Sequence, residues 1–148
     1  MTYNPNFSSG QPAPASKTIQ ISEENNTGST IVKATPVRIV PAGGISTVDI
    51  SEEAEALAVA GLVAEDVANG ASANIVNSGR IENISTGASV GAPLYISKSG
   101  YLTDVKPTLG ADDFSSGDFV IQVGVVAKNS SNPANKDILV TIRIMGQL

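Results

Sequence analysis

Leu57-Ala58-Val59-Ala60-Gly61-Leu62-Val63-Ala64 is the stretch on which the fold turns. It follows Ser51-Glu52-Glu53-Ala54-Glu55-Ala56, which offers an N-cap and helix formers, and high helix propensity continues to Ala68. Propensity alone draws one helix over residues 51–68. Against it, Gly61 sits mid-run and Val59, Val63 and Val67 are β-branched. The apolar run also has no polar face, as expected of a strand buried on both sides. The sequence therefore predicts a short helical turn over residues 51–55 and a strand over residues 57–64.

Outward from that stretch, short β-branched runs alternate with Gly, Asn, Asp and Ser. Towards the N-terminus, Thr18-Ile19-Gln20-Ile21-Ser22 alternates as a half-buried strand does. A turn over residues 23–28 follows, then strands over residues 30–33 and 37–40, stopped by Pro41-Ala42-Gly43-Gly44. Towards the C-terminus, residues 72–77 and 80–84 read as strands around a turn at Ser78-Gly79. Residues 94–97 and 101–103 read as a hairpin, with Gly100 supplying the positive φ. Residues 106–117 are a polar excursion, residues 119–128 a long strand, and residues 138–144 the last strand. Valine and isoleucine outnumber leucine, which favours sheet over helix bundle. The expected fold is all-β: a small antiparallel barrel or sandwich with a short helical turn and an extended N-terminal arm.

The arm comprises residues 1–16, and residues 17–148 form the single β-domain. Pro5, Gly10, Pro12 and Pro14 punctuate the arm, and no charge precedes Lys17. Proline removes donors and biases its predecessor towards extended backbone, so neither helix nor central strand is expected there. Tyr3 and Phe7 lie within it. The segment reads either as a frayed terminus or as an arm whose aromatics dock on a neighbouring subunit or another protein.

Composition narrows the chemistry. The chain has 148 residues, 41% hydrophobic and 16% charged, as a foldable soluble protein does. It has no cysteine and no histidine, which excludes disulfides, thiol nucleophiles and the usual general base. A net charge of −5 argues against nucleic acid as a partner. No apolar run approaches the ~20 residues of a membrane helix, and Met1-Thr2-Tyr3-Asn4-Pro5 lacks the basic and apolar regions of a signal peptide. The acids Asp49, Glu52, Glu53, Glu55, Glu65 and Asp66 gather without an intervening Lys or Arg. They read as a solvated stretch, with a basic partner patch as the alternative.

Two motifs invite catalytic or metal readings and fail. Gly87-Ala88-Ser89-Val90-Gly91 matches a nucleophile elbow, but no histidine exists to take the serine proton and Pro93 follows instead of a helix. Asp112-Asp113-Phe114-Ser115-Ser116-Gly117-Asp118 gathers carboxylates, yet Phe114 and Val123 occupy positions where a calcium loop needs oxygen ligands. No cofactor, metal or enzymatic activity is expected.

Within residues 58–128 an ordered series of motifs begins with Val59-Ala60-Gly61-Leu62-Val63-Ala64-Glu65-Asp66-Val67-Ala68-Asn69-Gly70-Ala71-Ser72 and Ser78-Gly79-Arg80-Ile81. It continues in Val90-Gly91-Ala92-Pro93-Leu94-Tyr95-Ile96-Ser97, Gly100-Tyr101-Leu102-Thr103 and Val120-Ile121-Gln122-Val123-Gly124-Val125-Val126-Ala127. In this order the motifs resemble a β-rich module of tailed-phage virion proteins, notably capsid decoration and head-fibre proteins. The resemblance implies a structural protein on the outer capsid surface of the virion, often a homotrimer, that binds the major capsid protein and stabilises the mature head. By analogy, the arm would anchor it, through Tyr3, Asn4, Pro5, Phe7, Pro12 and Pro14. The rival expectation is a tail-fibre or head-fibre module that grips host glycans, which exposed tyrosines lining a groove would favour.

Overall fold

The computed structural model describes residues 18–148. The proposed anchors Tyr3, Asn4, Pro5, Phe7, Pro12 and Pro14 lie outside the described residues. The strands are β1 (Ile19–Glu24), β2 (Pro36–Ile39), β3 (Ile45–Thr47), β4 (Val59–Val63), β5 (Ser72–Ile84), β6 (Pro93–Ile96), β7 (Leu102–Thr103), β8 (Phe119–Lys128) and β9 (Lys136–Gln147). One short helix, α1 (Glu53–Ala56), precedes β4. The strands form one sheet in the order β3-β2-β4-β5-β9-β8-β6-β7, with β1 on β5. Every strand pairing is antiparallel. The sheet is a half-barrel, and the fold is all-β as expected.

β5 organises the sheet. Ile75 pairs with Val63 of β4 on one edge and Ile21 of β1 on the other. Further along, Ser78 pairs with both Ile19 and Thr141, so β9 takes over the edge that β4 leaves. The turn expected at Ser78-Gly79 is therefore absent, and β5 runs through it. Gly79 marks a close approach instead: a Cβ there would lie 2.7 Å from Thr18 Oγ1.

The decisive stretch folds as its residues predict, within a residue or two at each end. α1 is a single turn, and β4 sends Leu62 into one apolar cluster and Val63 into another. The larger cluster gathers Leu62, Val76, Ile96, Ile121, Val123 and Ile138. The smaller, on the opposite face, packs Val37, Ile45, Val63 and Ile75 under Ile31 and Val67 from the covering loops. Gly61 is required because β5 crosses so closely that a Cβ would meet Val76 O at 2.2 Å. Ser51 does not cap α1. Glu52 holds the N-cap position without a side-chain bond, and the Ser51 hydroxyl donates to Asp49 Oδ1 at 2.6 Å.

Two further expectations need correction, and one strand is an addition. Residues 30–33 form no strand, only the bridge between Ile31 and Val67, because Ala34 takes φ 67° and turns the chain. β3 was not anticipated; its three residues are too few to show a period. β1 exists, but no described segment buries one of its faces: Ile19 is 57% and Ile21 40% exposed.

Candidate functional site

The buried ionic groups are fully engaged in holding loops. Asp137, 2% exposed, accepts from Arg80 Nη1, Asn129 Nδ2 and the Asn83 backbone N–H, and so ties β5 to β9 and the loop before it. Burial pushes its carboxyl up, but the donors from Asn129, Arg80 and Asn83 outweigh it and hold the pKa below the ordinary value. Asn83 sits at φ 61°, a conformation Asn tolerates. Asp118 receives Lys98 Nζ on both oxygens at 2.7 Å, together with the Ser115 N–H at 2.8 Å. Its carboxylate is thereby spent within the fold.

The two motifs take structural roles. Residues 87–91 lie in the loop between β5 and β6, where Gly91 N–H donates to Val126 O and Ala92 N–H to Ser89 O. No helix follows the serine. In the loop before β8, Asp112 and Asp113 both adopt positive φ, while Phe114 is buried beneath them. Among the described residues no group of three or more acidic side chains is placed to hold a metal.

The acidic stretch is not one patch. Glu55 pairs with Arg38 at 2.8 Å and receives the Asp49 N–H, whereas Asp66, beyond the far end of β4, receives the Lys33 N–H. Asp49 itself is held below its ordinary pKa by the Ser51 hydroxyl and N–H. β4 separates the two groups by roughly 17 Å of strand.

Among the described residues, two open surfaces stand out from these engaged groups. One is the outer edge of β1, which pairs with β5 alone until Asn25 bridges to Ile45. The other is a groove of about 350 Å³ between the segment after β1, β3 and the turn before β7. Thr30, Thr35, Ser46 and Thr47 line it beside Val32 and the Tyr101 ring, and none of its lining residues is charged. A second groove, about 630 Å³, differs in kind, with Lys98, Asp112 and Asp113 on its walls.

The neutral groove is preorganised. Buried Asn25 donates to Ser29 O and Val67 O and accepts the Thr27 N–H and hydroxyl, which fixes the turn that forms one wall. On the opposite side, Gly100 at φ 85° lets the β6–β7 turn press against Val48 O, which a Cβ would approach to 3.0 Å. Tyr101 N–H then donates to Ser97 Oγ and Ser97 N–H to Tyr101 O. Sequence reading placed Tyr101 in a hairpin but could not see its neighbours, which come from segments far apart in the chain. Compared with known protein families, curated proteins and solved structures, the chain matches none of them.

Proposed function

We propose that this chain is a structural protein of the tailed-phage virion, seated on the outer surface of the mature head as a decoration protein. Its partners in this reading are the major capsid protein and two further copies of itself. The observation that carries the reading is β1. This strand follows residues 1–16 closely in the sequence, its outer edge has no strand partner among the described residues, and Ile19 and Ile21 stand exposed. An edge with free N–H and C=O groups beside apolar side chains accepts a strand or arm from a partner. The ordered signatures over residues 58–128 supply the setting. Many equivalent lattice sites and a trimeric binder give avidity without strong single contacts, and binding only the mature lattice stabilises it by mass action.

The test uses mature heads that lack the chain, mixed with purified protein and sedimented. Full-length protein is expected to co-sediment and to scatter light as a trimer. A variant lacking residues 1–16 should keep the β-sheet circular dichroism signal yet remain in the supernatant. Undiminished attachment of the shortened chain contradicts the anchor, and failure of the full chain to attach contradicts the whole reading.

A further inference from the structure

We infer that the edge of β9 over residues 142–147 receives β1 of a second copy, so that the sheet continues from chain to chain. The inference rests on the proposed function at one point, that the edge of β1 accepts a partner, and it names that partner and its surface. β9 pairs with β8 along its whole length but with β5 only as far as Thr141. Beyond Thr141 its second edge has no strand partner among the described residues, and Arg143, Ile144, Met145, Gly146 and Gln147 are exposed. Two open edges therefore match in length: Ile19–Glu24 of β1 and residues 142–147 of β9. Unpaired N–H and C=O rows of that kind are templates for another chain. The end strands β3 and β7, of three and two residues, are too short to serve.

Side chains select this pairing. Exposed Ile19 and Ile21 flank one edge, and exposed Ile144 and Met145 the other. Beside that end of β9 runs a groove of about 330 Å³ with Pro107, Val120, Met145 and Leu148 in its walls, a seat for the isoleucines of β1. Charge fixes the direction. Antiparallel pairing with Glu23 opposite Arg143 also sets Ile21 against Met145 and Ile19 against Gln147. Neither Glu23 nor Arg143 has an ion-pair partner among the described residues. β1 paired antiparallel with β1 of another copy would set Glu24 against Ile19 and Glu23 against Gln20, losing both matches. The two edges are different surfaces, so the contact is heterologous, and copies joined by it close into a ring or extend as a filament.

The chain contains no cysteine, so single introduced thiols report the contact without background. Full-length Ile21→Cys and Met145→Cys variants are oxidised separately and as an equal mixture, then run on a non-reducing gel. The mixture should give a dimer linking the two variants, and each alone should stay unlinked. Charge reversal is the second arm, read by sedimentation over a concentration series. Arg143→Glu and Glu23→Arg should each weaken self-association about tenfold, and the double variant should recover it. A mixture that links no better than its components overturns the inference. So does a dimer from Ile21→Cys alone, which would mean that β1 pairs with itself, or self-association unmoved by both reversals. A trimer without the 21–145 link contradicts this contact and leaves the proposed function standing. Linked copies that fail to sediment with heads support this contact and contradict the proposed function.

Discussion

β4 and β1 flank the same residues of β5, one on each edge, and meet opposite fates. β4 is covered on both faces, by the large cluster at Leu62 and the small one at Val63. β1 carries isoleucines at alternate positions and leaves Ile19 57% and Ile21 40% exposed. Hydrogen bonding to a common neighbour therefore does not decide burial. What decides it is what the rest of the chain lays above and below: α1 and the covering loops serve β4, and no described segment serves β1. One strand is scaffold, and the other presents an edge that no described segment covers.

Substitutions can break this contrast. Leu62→Ala should cost the most, about 3 kcal/mol, lowering the melting temperature by roughly 10 °C for a chain of this size; a loss equal to that of Ile21→Ala would erase the distinction. Asp137→Ala should cost less, about 2 kcal/mol, because it removes the acceptor shared by the buried Asn129 amide, the Asn83 N–H and Arg80. Chemical denaturation measures both.

Acid sharpens the same point. The folded-state pKa of Asp137 lies below its ordinary value of 3.8. Its contribution is therefore fully present above about pH 4 and is lost as pH falls through the folded value. Stability should be flat near neutrality on this account and decline in acid. Asp137→Asn should flatten that decline, and an unchanged acid limb would contradict the assignment. Smallest of all, Ile19→Ser and Ile21→Ser should shift stability by less than about 0.5 kcal/mol, yet reduce co-sedimentation with heads. A large fall in melting temperature would mean that β1 is core after all.

The same contrast explains what could be read from the residues. β4 and β8 are legible because dense β-branched runs must be buried wherever they lie, and Gly61 excluded the competing helix. β1 is legible as a strand but not as an exposed one, since alternation fixes which side chains share a face and says nothing of what covers it. Ser78-Gly79 misleads because the same dipeptide serves a tight turn and a close crossing inside a strand. The neutral groove is invisible in the sequence: Thr35, Thr47 and Tyr101 are separated along the chain, and only the curl of the sheet and the β6–β7 turn bring them together.

Imaging mature phage heads assembled with and without this chain puts the attachment directly in view. The account predicts density of half-barrel shape on the outer capsid surface, in clusters of three, with β1 turned towards the shell and the density gone when the chain is absent. Heads that look identical in the two preparations, or β1 facing solvent on a bound copy, would contradict it.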